Sequence, residues 1–299
     1  MNSKLMSTID TYQATRTRLF GLAYRLLGSR VEAEDVVQEA WLKWRAVDTA
    51  GLSDPEAWLV TVVTRLGIDR QRELKRHRET YKGPWLPEPL LDETEQDAEA
   101  TMTLASDLSM AFLVTLEALS AEERAAFLLR EVFDYSHEDI AGILNKTAAA
   151  SRQLVSRARA RLRDERPRYR VDADQQRQVV TRFIDAMMSE DSEAFARLMA
   201  EEVCWVADGG GKAQAASQPV HGIRAATRMA MGLARSWRGR WHVTLVPVNG
   251  QPGAILWVDG EVRSVTVLET EGGRVLRIYS VVNPDKLPFN RQLPPLPPG

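Results

Sequence analysis

The chain is poor in the residues that staple or metallate a protein. Of its 299 residues only Cys204 is a cysteine and only four are histidines. An intrachain disulfide framework and a cysteine-based zinc site are both excluded. His137-Glu138-Asp139-Ile140 opens like the HExxH signature of a zinc protease, but Ala141 stands where the second histidine is required. No apolar run reaches the roughly 18 residues of a membrane helix. Residues 1–10 lack the apolar core of a signal peptide, so a soluble, cytoplasmic protein without a metal or other cofactor is expected. An excess of one charge is missing too. Thirty-nine Lys and Arg against 41 Asp and Glu leave a net charge of −2, which excludes a general polyanion binder. What is present is ordinary: 44% hydrophobic and 27% charged residues, enough for buried cores, in a chain long enough for about two domains.

Three breaks divide it. The segment YKGPWLPEP (81–89) has three prolines and a glycine and runs into an acidic stretch, 88–99, with six acids and no base; helix interiors do not tolerate such composition. Arg166-Pro167 is the second break. In the tail, 288–299, five of twelve residues are proline, which favours an extended, exposed chain. The expected organisation is a helical module at 10–80, a linker at 81–103, a second helical module at 104–166, an α+β domain at 172–287 and the tail.

Periodicity fills in these modules. Leu19, Phe20, Ala23, Leu26 and Leu27 recur at helical spacing, as do Val36, Val37, Ala40, Trp41 and Trp44. Asp54-Pro55 reads as an N-cap with proline at the first helical position. Residues 104–119 and 121–132 read as amphipathic helices, and 136–163 as a helix–turn–helix. Beyond 172 the period changes. Helices are expected at 174–189, 191–200 and 222–236, with strands at 203–207, 241–248, 254–259, 261–269 and 274–282. Asn249-Gly250, Asp259-Gly260 and Gly272-Gly273 are turn signals, so the last four strands should form an antiparallel meander.

The near-zero charge is a local cancellation. Neither the first 166 residues (23 bases, 27 acids) nor the remaining 133 (16 and 14) are basic. Yet residues 151–163 carry five arginines and no acid, and residues 65–78 carry six bases against Asp69 and Glu73. A basic run is often only a solvated helix face. Here one run lies on the second helix of a helix–turn–helix. Ser136 and Asp139 have capping-box spacing, Asn145-Lys146 permits a tight turn and Thr147 can cap the next helix. Ala150, Leu154, Ala158 and Leu162 would face inward, leaving Ser151, Arg152, Gln153 and Arg157 as candidates for contacts to duplex DNA.

Taken in order, these motifs resemble extracytoplasmic-function (ECF) sigma factors of bacterial RNA polymerase. AEDVVQEAWLKW (33–44) resembles the family's polymerase-binding helix, which implies a core-polymerase contact through Asp35, Gln38, Glu39 and Trp41. DPEAWLVTVVTRLGIDRQR (54–72) resembles the segment that melts and reads the −10 element, implying DNA contacts by Trp58, Arg65, Arg70 and Arg72. The helix–turn–helix resembles the −35 reader. One departure stands out: Leu66 follows Arg65 where many ECF factors carry Asn, so inherited −10 base preferences do not transfer. The resemblance implies core RNA polymerase (its β′ clamp and β flap) and promoter DNA as partners.

YKGPWLPEP, Asp208-Gly209-Gly210-Gly211-Lys212 and Asn283-Pro284-Asp285-Lys286-Leu287 together resemble the subfamily with a fused SnoaL-like domain. Its fold would be a cone-shaped α+β barrel, acting in cis in place of a separate anti-sigma protein. The glycine run fails as a phosphate loop, because Val206 and Ala213 occupy required Gly and Ser/Thr positions. It suits close backbone approach instead. Trp85-Leu86-Pro87 is its natural counterpart, since burying the indole would contribute about 2–3 kcal/mol. A different reading is a SnoaL-like enzyme or ligand sensor targeted by its helical half. Asp208, His221 and His242 are the candidate acid–base groups and the cone would hold the small molecule. Lone histidines beside strands read more simply as packing, and the non-enzymatic reading is preferred. A plain helix–turn–helix repressor would not need the polymerase-like helix.

Overall fold

Helix starts in this chain are marked by polar caps whose side chains replace missing backbone partners. In the computed structural model, which describes residues 2–47, 52–91, 108–162 and 173–287, the first module is three helices: α1 (Asn2–Leu27), α2 (Arg30–Arg45) and α3 (Pro55–Arg78). Ser29 accepts the Glu32 amide to start α2, and Asp54 accepts the Ala57 amide to start α3 with Pro55 in its first turn. Leu22, Leu26, Val36, Val37, Trp44, Leu59 and Val63 are buried between the helices. Gly67 sits where a Cβ would lie 2.8 Å from Leu26 Cδ1, so α1 and α3 pack closely because that side chain is absent.

The second module contains α4 (Met110–Leu116), α5 (Ala121–Glu131), α6 (His137–Leu144) and α7 (Ala148–Leu162). Capping boxes at Ser120/Glu123 and Ser136/Asp139 start α5 and α6. Asn145 takes the left-handed conformation at φ 52° to end α6, and Thr147 Oγ1 accepts the Ala150 amide 3.2 Å away. Both modules belong to one compact unit. Among the described residues of the expected helix over 104–119, the helix spans Met110–Leu116. Leu104, Arg163, Arg166-Pro167, the linker acids from Asp92 to Glu99 and the tail from Pro288 lie outside the described residues.

The other unit joins linker residues 81–91 to the last third of the chain. It comprises α8 (Ala173–Met188), α9 (Ser192–Leu198), β1 (Met199–Asp208), β2 (Val220–His221), α10 (Ile223–Ser236), β3 (Trp241–Val248), β4 (Gln251–Val258), β5 (Glu261–Glu271) and β6 (Arg274–Val281). Strand order is β2-β1-β6-β5-β4-β3. The β3–β6 meander is antiparallel as expected, while β1 lies parallel to β6. Positive φ at Asn249-Gly250, Asp259-Gly260 and Gly272-Gly273 gives the hairpin turns. Phe183, Phe195, Trp205, Met231, Leu268 and Ile278 fill the core between α8–α10 and the sheet. Within that core Trp205 Nε1 donates to Ser280 Oγ at 2.9 Å. This is the α+β architecture of a SnoaL-like, cone-shaped domain following two helical modules.

Candidate functional site

The polymerase-like helix α2 presents an acidic, open face. Val36, Val37, Ala40 and Trp44 point into the module, which leaves Asp35 and Gln38 exposed and Glu39 half-buried beside Lys43 at 3.3 Å. Trp41 packs on Tyr12 with ring centroids 4.5 Å apart, and Arg45 lies 6.0 Å from its ring. Next to it Leu42 is 58% exposed, an apolar side chain on a mostly polar face.

On α3, Trp58 packs on buried Trp44 at 5.4 Å and Arg70 pairs with Glu32 of α2. Arg65 is directed elsewhere. Its Nε donates to Ile143 O at 2.8 Å and a terminal nitrogen donates to Gly142 O at 3.1 Å, so it caps the C-terminal end of α6. Arg72 contacts Asp69 and, at 2.9 Å, Glu122 of α5. Deeper in the same contact Arg124, fully buried, donates to Arg25 O at 2.8 Å and to Glu117 at 2.6 Å. Arg78 also reaches Glu117, and donates to Leu27 O at 2.9 Å. Burial pushes the Glu117 carboxyl up, but Arg124 and Arg78 together outweigh it and hold it below the usual range.

The helix–turn–helix corrects one assignment. Ser151 does not face DNA: it is fully buried, with its Oγ 3.3 Å from His137 Nδ1 at the start of α6. The inward stripe of α7 is Ser151, Leu154, Val155, Ala158 and Leu162, rotated from the one that included Ala150. A small hydroxyl fits where α7 crosses the first turn of α6, and the hydrogen bond offsets its desolvation. Arg152, Gln153 and Arg157 are exposed. Arg157 and Arg161 converge on Glu123, which is almost fully buried.

Within the second unit the three expected interdomain motifs come together around Asp208, which is fully buried. Its Oδ1 accepts from Tyr81 Oη at 2.5 Å and from the Gly210 amide at 3.1 Å. Its Oδ2 accepts from the Leu86 amide at 2.8 Å and from Lys286 Nζ at 2.7 Å. Lys286 also donates to Leu86 O at 2.6 Å, and its ammonium lies 4.2 Å from the centre of the Trp85 ring. Asn283 Nδ2 donates to Tyr81 Oη at 2.9 Å, while Lys212 pairs with Asp285. Pro284, Asp285 and Lys286 form a 3₁₀ turn that ends at Leu287. The glycines permit the approach. A Cβ on Gly209 would meet Ala213 O at 2.6 Å, on Gly210 Asn283 Nδ2 at 2.3 Å, and on Gly211 Lys82 Cδ at 2.9 Å. Within Trp85-Leu86-Pro87, Leu86 is at 0% exposure and Pro87 is buried, whereas Trp85 is only half-buried beneath Lys286.

Four contributors were not singled out from sequence. Tyr81 and Lys82 begin the proline-rich segment, where an aromatic residue in a polar connector was the available signal. Asn249 looked like a turn residue only. It also clamps the linker, accepting the Leu90 amide at 3.0 Å and donating its own amide to Leu90 O at 2.8 Å. Arg124 sits in AEERAAFLLRE, and nothing in that string distinguishes the buried cation from the exposed ones. Asp208 is occupied by the linker, His221 is exposed and His242 stacks on Trp257 at 5.6 Å, so these three do not form one acid–base cluster. Among the described residues no group of His, Cys, Asp or Glu could hold a metal, and no helix is long and apolar enough to cross a membrane.

The two helical modules match known families in the same order. Residues 11–77 match the Sigma-70 region 2 family and residues 109–162 the Sigma-70 region 4 family. The chain is 37% identical over 291 residues to the ECF RNA polymerase sigma factor SigJ of Mycobacterium tuberculosis, covering 93% of this chain and 92% of that protein. It is 28% identical over 284 residues to the probable ECF RNA polymerase sigma factor SigI of the same species, covering 92% and 93%. The crystal structure of M. tuberculosis SigJ superposes with a TM-score of 0.76 at 35% identity, covering 93% of this chain and 98% of that one. From its two helical modules through its α+β domain, the chain belongs to the ECF family of RNA polymerase sigma factors.

Proposed function

We propose that this protein is an alternative sigma factor that recruits core RNA polymerase to specific promoters, and that its third domain governs this in cis by holding the linker. The exposed face of α2, with Asp35, Gln38, Glu39 and Leu42, suits the polymerase clamp. Arg152, Gln153 and Arg157 on α7 suit the −35 duplex, since guanidinium forks and an amide are the donors that base edges and phosphates accept. Trp58, Arg65, Arg70 and Arg72 suit a melted −10 strand, which asks for cations beside aromatic surface. Arg65 and Arg72 are engaged by α6 and α5. Capture of the −10 strand therefore exchanges protein acceptors for DNA ones, and the two helical modules must part to make the exchange.

The observation that carries the cis-regulatory reading is the Asp208 hub. Four donors from the linker, the glycine loop and the C-terminal turn meet one buried carboxylate. With residues 81–91 held, those 11 residues are withdrawn from the free tether between the two helical modules. That removes up to about 37 Å of extended chain from its reach. Such a change sets which promoter spacings both modules can reach together. Footprinting of the holoenzyme on a library varying the spacer tests this: Asp208→Ala is expected to broaden the accepted spacings, and an unchanged spacing profile would remove the linker from the mechanism. Catalysis by the third domain would instead predict turnover of a small carbonyl compound without polymerase.

A further inference from the structure

Residues 209–258 contain no aspartate or glutamate. At the overall frequency of 41 acids in 299 residues, a stretch of this length would carry about seven. The same stretch holds Lys212, Arg224, Arg228, Arg235, Arg238 and Arg240, while all 14 acids of residues 167–299 lie to either side of it. Most of these cations belong to one element. Arg224, Arg228 and Arg235 fall within about 40° of each other around α10 at ~100° per residue, and all three are exposed. Ala226, Ala230 and Ala234 anchor the opposite side in the core. Arg238 and Arg240 continue the surface in the loop before β3, interleaved with half-buried Trp237 and Trp241. Acids answer only part of this charge. Arg238 and Arg235 share Glu190, and Arg240 faces Asp259 at 3.5 Å. Among the described residues Arg224 and Arg228 have no ion pair. Beside them a Cβ on Gly232 would meet nothing within 4 Å, so the surface is open to a bulky backbone.

We infer that this face of α10 and the loop after it grip the sugar–phosphate backbone of duplex DNA, adding a third, sequence-independent contact to the two promoter-reading modules. The inference rests on the sigma-factor reading above. Arginines one helical turn apart, about 6 Å, can fork onto neighbouring phosphates of one strand, and α10 itself carries no acid to repel them. The other polyanion at hand is the chain's own acidic segment after Leu91. Leu91 is held opposite Val248, at the far end of β3 from Trp241 and about 23 Å from the arginine loop. The segment thus starts away from the basic face, and DNA is the better-matched occupant.

The test assembles full-length protein with core polymerase and measures promoter affinity across a salt series. Arg224→Ala with Arg228→Ala should lower the slope of log affinity against log salt by about 1.8, the release expected for two phosphates, with base preference unchanged. Arg224→Lys with Arg228→Lys should keep the slope, since the charges remain. An unchanged slope in the alanine variant overturns the inference. So does a loss that disappears once Asp92, Glu93, Glu95, Asp97 and Glu99 are changed to their amides, because the occupant would then be the acidic segment. If the wild-type protein forms no promoter complex with core polymerase, it is the sigma-factor reading that fails.

Discussion

Replacing Lys286 with methionine probes the linker dock where its energy is concentrated. The change keeps an unbranched stem over Trp85 and removes only the ammonium, whose side chain is 13% exposed against a fully buried Asp208. Breaking a buried ion pair from one side costs about 3–5 kcal/mol, because the remaining charge is stranded. Asp208 keeps Tyr81 Oη and the amides of Leu86 and Gly210, which places the cost near the lower end, about 3 kcal/mol. That corresponds to a shift of roughly a hundredfold toward the undocked linker. Hydrogen exchange at the Leu86 and Leu90 amides reads it directly, since both donate to side chains of the third domain. Their exchange should accelerate by about that factor, with protection in the β3–β6 meander preserved. Lys212→Met is the control. Its pair with Asp285 is 58% and 57% exposed, so a loss of no more than about 1 kcal/mol is expected. Unchanged exchange at Leu86 and Leu90 in Lys286→Met would refute the assignment of Asp208 as the hub.

Further outcomes follow from the other contacts. Arg124→Met should destabilise the helical unit by about 1.5–3 kcal/mol in denaturant titration, because it removes charge-assisted hydrogen bonds to Arg25 O and Glu117 while partly exposed Glu117 keeps its pair with Arg78. Ser151→Ala should leave −35 base preference intact and cost about 1 kcal/mol of stability. Arg152→Ala should cost about 1–3 kcal/mol in promoter affinity, whether by relaxing specificity or by lowering the salt slope; equal DNA effects of the two changes would contradict the placement of α7. Acid should weaken the helical unit. Burial raises Glu117 and Glu123, but Arg124 and Arg78 on the first, and Ser120, Arg161 and Arg157 on the second, outweigh it and lower both. Their contribution is complete above the unfolded carboxylate value of about 4.3 and is lost as pH falls through the folded values. Denaturant midpoints should therefore drop below about pH 4, and less so in Glu117→Gln/Glu123→Gln.

Local chemistry was the readable part of this chain. Ser136/Asp139, Asn145 and Thr147 announced the helix–turn–helix because each acts on a backbone group within four residues. The Asn-Gly, Asp-Gly and Gly-Gly pairs announced the meander for the same reason. Contacts made over long separations were harder to read. Arg65 meets α6 across 77 and 78 residues, and a basic helix face looks the same whether its acceptor is phosphate or carbonyl. Ser151 was misplaced because a small polar residue fits either side of a helical wheel until the neighbouring helix is in position. The linker dock was half readable: glycine crowding and a tryptophan marked the partners, but burial fell on Leu86, since Lys286 needs the indole face for its ammonium. The parallel placement of β1 beside β6 pairs residues from Met199↔Val275 to Asp208↔Val281, too far apart in the chain for a local signal. Charge behaved likewise, with a net −2 hiding a 50-residue stretch that has cations and no acids.

Run-off transcription from a promoter library, with purified full-length protein added to core RNA polymerase, tests the central claim most directly. Promoter-specific transcripts that require the protein, and that fall when Arg152 or Arg157 is replaced by alanine, are the expected result. No added transcription and no association with core polymerase would contradict it.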